Sequence, residues 1–180
     1  DHSYNRSHYY TGSSSQKQFW DGYDAFAQTK DTQQYLRDHA RTGKPFCLFL
    51  SYGIPHFPHG SAPAQFKAMY PPDKIKFSPN VPPEMQTQRV RTEAQGYYAH
   101  VTALDQCIGE LTRTLAELGL EKNTIVVFTS DHGDTLLSHG FAHNKMRPEQ
   151  ESVRVPLLIR RCSGPGTGEK APSADGPARS

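Results

Sequence analysis

At 180 residues the chain is long enough for one domain with a core of its own. A net charge of +2 gives no argument for a nucleic-acid partner, and no apolar run approaches the roughly 20 residues of a membrane span. The chain is polar, 35% hydrophobic with a mean hydropathy of −0.72, and its three cysteines show no paired spacing, which excludes a disulfide framework or a zinc knuckle.

Residues 1–19 are rich in Ser, Tyr, His and Gln without a period, and read as loop or as the edge of something larger. Residues 31–41 predict a helix that Asp31 can cap, with Tyr35, Leu36 and Ala40 on one face and Gly43-Lys-Pro45 ending it. Phe46-Cys-Leu-Phe-Leu-Ser51 is an apolar run of buried-strand length, with Cys47 inside it. Residues 52–84 hold eight of the fourteen prolines and read as loop, with a short helix near 62–70. A stretch of that kind inside a domain is more often a functional loop than a linker. The clearest helix is 93–118, where Tyr98, Val101, Leu104, Ile108, Leu111, Leu115 and Leu118 recur every three or four residues, and Gly119 is placed to end it. Cys107 falls inside this helix and is predicted buried. Residues 161–180 are rich in Gly, Pro, Ser and Ala and read as a mobile tail carrying Cys162. No basic-then-apolar leader opens the sequence.

The stretch 123–160 is the richest in chemistry. Thr124-Ile-Val-Val-Phe-Thr129 predicts a buried strand that stops at Ser130-Asp131-His132-Gly133-Asp134, and Val153–Ile159 predicts a second strand. Strand, helix, strand in this order predicts an α/β fold with a mostly parallel sheet flanked by helices. In open α/β sheets ligands bind beyond the carboxyl ends of the strands, where Asp131, His132 and Asp134 stand. On the residues alone, Asp131 is either a cation ligand or a turn cap, and Asp134 reads better as a cap. His139 and His143 are four apart, but Gly140 weakens a helix there and no Glu follows the first His, so they read as a polar rim rather than a zinc site. Lys145 is the strongest anion-binding candidate in the following loop.

The strand ending in Thr-Ser-Asp-His-Gly-Asp, the Ser138-His139-Gly140 turn, Asn144-Lys145 and Glu151-Ser-Val-Arg-Val-Pro156, in that order, resemble the C-terminal metal-site region of the sulfatases, a branch of the alkaline phosphatase superfamily. The resemblance covers about residues 20–160 and implies an alkaline-phosphatase-like fold that is incomplete in this chain. It implies that Asp131 and its neighbour His132 complete a metal site, with calcium the favoured ion and manganese, magnesium or zinc admitted by the imidazole. It implies that Lys145 contacts the transferred sulfuryl group. His56, in Ile54-Pro-His-Phe-Pro58, matches the family's Pro-His-x-Pro element, whose histidine faces the sulfate, with His59 the lesser candidate. Glu151 and Arg154 fit an internal ion pair beside the site.

The family's Cys/Ser-x-Pro-Ser-Arg, source of its formylglycine nucleophile, has no counterpart here, nor do its N-terminal Asp pair and Gly-Lys-x-His element. The expectation is therefore part of a metal-dependent sulfuric ester hydrolase carrying about half of the active site, inactive as the 180-residue chain alone, acting on a small-molecule or carbohydrate sulfate ester. A phosphonate monoester or phosphodiester hydrolase on the same scaffold, and a non-catalytic fragment or pseudoenzyme, are the alternatives. Substrate alcohol, oligomeric state and compartment are not written in the sequence.

Overall fold

The computed structural model describes residues 3–141 and 145–160; the predicted tail at 161–180, with Cys162, and the loop residues His143 and Asn144 lie outside the described residues. The elements are β1 (His8–Tyr9), β2 (Gln18–Phe19), α1 (Asp24–Ala40), α2 (Ala64–Lys67), α3 (Gln88–Glu117), β3 (Val126–Thr129), α4 (Gln150–Val153) and β4 (Leu157–Arg160), with several single 3-10 turns between them. No described helix is long and apolar enough to cross a membrane.

The stretch predicted as plain N-terminal loop contains the small β1–β2 hairpin, and it buries Tyr4 in the core beside Tyr23. Asp24 explains why α1 begins seven residues before the predicted cap. Its buried carboxylate accepts the Ser7 N–H at 3.1 Å, and the Asp24 N–H donates to the Tyr4 carbonyl at 2.9 Å. The helix start is thereby tied to the hairpin, and Asp31 is left exposed in mid-helix.

Helix α3 also starts early, where the Thr87 hydroxyl accepts the Val90 N–H at 3.4 Å, and it ends at Gly119 with a positive φ of 69° as predicted. Its buried face differs from the predicted stripe. The fully covered residues are Gly96, Ala99, His100, Ala103, Cys107, Thr114 and Leu115, while Val101 is exposed and Leu104, Ile108 and Leu111 are half-buried. Small residues let α1 and the turn His59–Ser61 approach α3 closely, and polar links then fix the pair: Gln33 Nε2 donates to Thr114 Oγ1 at 2.9 Å, and Cys107 Sγ to the Ala25 carbonyl at 3.7 Å. Cys107 is buried as predicted, but Cys47 is exposed.

Cys47 is exposed because Phe46–Ser51 forms no ladder among the described residues, and Phe49 is 92% exposed. A strand needs a neighbour for its N–H and C=O groups, and no described segment supplies one. Strand β3 forms within its predicted limits but pairs antiparallel with β4, Val126 opposite Arg160 and Thr129 opposite Leu157. Both described ladders are antiparallel. Strand β3 is predicted buried, yet Val127 is more than half exposed, as are Leu157, Leu158 and Ile159 of β4. An ion pair from Arg160 to Glu121 at 2.9 Å closes the pair at its far end.

His100 is the largest side chain fully buried in the core. Its Nδ1 meets the Tyr23 hydroxyl at 2.5 Å and its Nε2 the Ser61 hydroxyl at 3.4 Å. Burial pushes its pKa down to about 4, so it folds neutral. The unfolded chain binds that proton near pH 6.5, so stability is complete above that value and falls as pH drops toward 4. The loss over this window is expected to be on the order of 3 kcal/mol, read as a falling thermal midpoint, and His100→Gln should flatten the slope. An equally steep slope in the variant would assign the acid sensitivity to other groups.

Candidate active site

Strand β3 delivers Ser130-Asp131-His132 to the open end of the β3–β4 pair, and the chain then turns at Gly133. Asp131 Oδ1 accepts the His132 N–H at 3.0 Å and the Ser130 hydroxyl at 3.3 Å. Desolvation is the largest single influence on this carboxyl and raises its pKa, but these hydrogen bonds and the His132 charge together hold it below the usual carboxylate value. The His132 Nδ1 lies 2.8 Å from the Gly133 carbonyl, which can only accept, so Nδ1 carries the hydrogen. That leaves Nε2, 3.4 Å from Asp131 Oδ2, as the nitrogen with a lone pair to offer a cation when the ring is neutral.

Two donors of different type thus face one point, a fit for a divalent cation held by mixed oxygen and nitrogen ligands. Among the described residues no three His, Cys, Asp or Glu side chains converge, so Asp131 and His132 are a pair and not a complete ligand set.

Lys145 borders the same place. Asp131, His132, Lys145, Arg147 and Ser152 all line one open depression of about 480 Å³. The residue joining them is Ser152, which is 2% exposed. Its carbonyl accepts the Gly133 N–H at 2.7 Å, and its hydroxyl donates to the Lys145 carbonyl at 2.5 Å. Sequence reasoning did not single out Ser152, because a serine on one turn of helix carries no local signal of a bond to either partner. Gly133 is required by the same contact, since a Cβ there would stand 2.0 Å from the Glu151 carbonyl oxygen.

Asp134 caps the next turn: its Oδ1 accepts the Leu136 N–H at 2.9 Å. His139 belongs to a polar cluster at the rim. Its Nε2 is 3.3 Å from Glu151 Oε1, the Asn80 amide donates to the same oxygen at 2.7 Å, and the His139 N–H donates to the Asn80 carbonyl at 2.9 Å. Its own backbone hydrogen bond, then the Asn80 amide, and further the His139 ring keep the Glu151 carboxyl below its usual pKa. Glu151 therefore pairs with Asn80 and His139 and not with Arg154, which leaves α4 in extended backbone at φ −89°, ψ 104°.

His56 does not line the depression. It sits on the proline-dense loop, its ring stacked on Phe57 at 4.2 Å and its Nδ1 2.8 Å from the Phe57 carbonyl. His59 is a core residue, 2% exposed, with Nδ1 3.3 Å from Glu93 Oε2.

These features have recognisable relatives. The sulfatase family profile matches residues 1–174, and the chain belongs to the sulfatase family. It is 44% identical over 165 residues to an ulvan-active sulfatase of Formosa agariphila, covering 88% of this chain and 31% of that protein. It is 35% identical over 135 residues to an endo-4-O-sulfatase of Bacteroides thetaiotaomicron, covering 70% of this chain and 26% of that one. A structure determined in work on glycosaminoglycan metabolism by Bacteroides thetaiotaomicron superposes with a TM-score of 0.79 at 28% identity, over 89% of this chain and 34% of that one. A phosphonate monoester hydrolase of Silicibacter pomeroyi shares the fold, with a TM-score of 0.63 at 24% identity, over 77% of this chain and 34% of that one. The alkaline-phosphatase-like fold is that of these neighbours, and the family is in general dependent on a divalent metal. The chain spans about a third of the length of the curated relatives it matches.

The clamp around Gly133 has a measurable cost when filled. Gly133→Ala should lower unfolding stability by about 1–3 kcal/mol through overpacking, and Ser152→Ala by about 1 kcal/mol through a lost buried hydrogen bond. Urea unfolding of the two variants checks both; a Gly133→Ala midpoint equal to wild type would contradict the contact.

Proposed function

We propose that the intact protein hydrolyses a sulfate ester and that this chain supplies one half of its active site. The observation that carries the reading is the convergence of Asp131, His132 and Lys145 on one depression, held together through Ser152. In this reading Asp131 and His132 hold a divalent cation through Oδ and Nε2, with calcium favoured by the oxygen-rich family site. The bound ion supplies Lewis acidity toward the sulfate oxygens. Lys145, whose ammonium forms no ion pair among the described residues, holds a sulfate oxygen and stabilises the charge that develops on it. His56 donates a proton to the leaving alcohol from the proline-held loop. The attacking oxygen would come from a formylglycine carried by sequence outside residues 1–180.

The substrate we propose is a carbohydrate sulfate, in keeping with the ulvan-active and endo-4-O-sulfatase relatives. In the intact protein the exposed apolar run Phe46–Ser51 and the β3–β4 pair join a mostly parallel sheet flanked by helices, with β4 as an antiparallel member. That arrangement would cover the apolar side chains that this chain leaves exposed.

A leaving-group series on the intact enzyme tests the roles. Lys145→Ala should slow activated aryl sulfates and sugar sulfates alike, by on the order of 10²–10³ in kcat. His56→Ala should slow sugar sulfates far more than aryl sulfates, whose leaving groups need no proton. An enzyme that turns over aryl phosphonates and leaves every sulfate ester untouched would refute the sulfatase reading. A His56→Ala loss independent of leaving-group pKa would remove the general-acid role.

A further inference from the structure

Arg147 shares the depression with Asp131, His132 and Lys145, and nothing in the reading above uses it. Its guanidinium carbon stands 3.6 Å from the centroid of the Phe141 ring. Stacking of this kind holds the planar fork in one orientation and leaves its edge to bind. Its Nε is buried with no hydrogen-bond partner among the described residues. No described carboxylate pairs with it, and Glu149, two residues on, is not within ion-pair distance. A permanently charged, pre-oriented group is thus left unneutralised in the wall of a site that already presents Lys145. A guanidinium whose charge no described carboxylate offsets is a natural partner for an anion held in the depression that Arg147 lines.

We infer that Arg147 is a specificity-determining residue, which binds a second anionic group of the substrate, a carboxylate or a second sulfate, beside the sulfate being cleaved. The inference rests on the sulfatase reading and narrows it to polyanionic carbohydrate. Both groups present two oxygens that a guanidinium edge can meet in bidentate fashion, whereas an ammonium meets them as a point charge. Lys145 and Arg147 then divide the labour. The lysine serves the transferred group, and the arginine chooses which sugar is presented.

The test uses the intact enzyme and four sulfates: a monosulfated sugar bearing a uronate carboxylate, its methyl ester, a disulfated sugar of the same linkage, and 4-nitrophenyl sulfate. Arg147→Ala should lower kcat/KM about tenfold to a hundredfold for whichever dianionic sugar the wild type prefers, mainly through KM. The methyl ester and 4-nitrophenyl sulfate should stay within about twofold, since neither offers a second anion. Arg147→Lys should recover part of the loss, the charge without the fork. The carboxylate and disulfate arms identify which anion is read. A wild type that does not distinguish the dianionic sugars from the methyl ester overturns the proposal. So does a loss shared equally by all four substrates in both variants, which would make Arg147 a contact of the transferred sulfate or a structural residue. A wild type inert toward every sulfate overturns the sulfatase reading, and the specificity role with it.

Discussion

The Gly133 N–H meets the Ser152 carbonyl at 2.7 Å, and this contact decides where every other group of the site can stand. Two segments distant in sequence, the end of β3 and the turn α4, touch there backbone to backbone, at a spacing that excludes even a methyl group. Asp131 and His132 lie just before the contact, and Ser152 extends it through its hydroxyl to the Lys145 carbonyl. One backbone hydrogen bond and one buried serine hydroxyl thereby bring a carboxylate, an imidazole and a lysine to one depression.

A second set of contacts secures the outer wall. Leu136, Leu137 and His139 all have positive φ, at 43°, 70° and 60°, a conformation that costs a non-glycine residue roughly 1–2 kcal/mol. The turn persists because Asp134 caps it and because Asn80 accepts from the His139 N–H while its amide holds Glu151. The proline-dense loop, the turn after β3 and the turn α4 are therefore one hydrogen-bonded unit. Asn80 thereby ties the loop 52–84 to the turns beside the depression.

Much of this was legible where the signal is local. The strand end at Asp131, the cap at Asp134 and the stop at Gly119 each follow from a residue whose preference and neighbours agree. The buried face of α3 was not, because Gly96, Ala99 and Ala103 carry almost no hydrophobic signal, and they are buried for their smallness rather than their greasiness. Phe46–Ser51 has a strand's composition but lacks a partner among the described residues, so the pattern was readable and the pairing was not. The Glu151–Arg154 pair failed for a geometric reason: i,i+3 proximity needs a continuing helix, and α4 ends at Val153. Ser152 and Asn80 escaped notice because their meaning lies in contacts across the chain. Lys145 and His56 stood out through family resemblance, and the structure brings only Lys145 into the depression with Asp131.

The central proposal is that Asp131 and His132 are ligands of a single divalent cation whose site other residues of the intact protein complete. Anomalous diffraction from crystals of the intact enzyme, recorded at a wavelength chosen for the bound metal, locates that ion directly. The account predicts one peak within about 2.0–2.6 Å of an Asp131 carboxylate oxygen and of His132 Nε2, lost in Asp131→Ala. A metal peak elsewhere in the enzyme, with Asp131 and His132 still hydrogen-bonded only to each other and to Ser130 and Gly133, would contradict it.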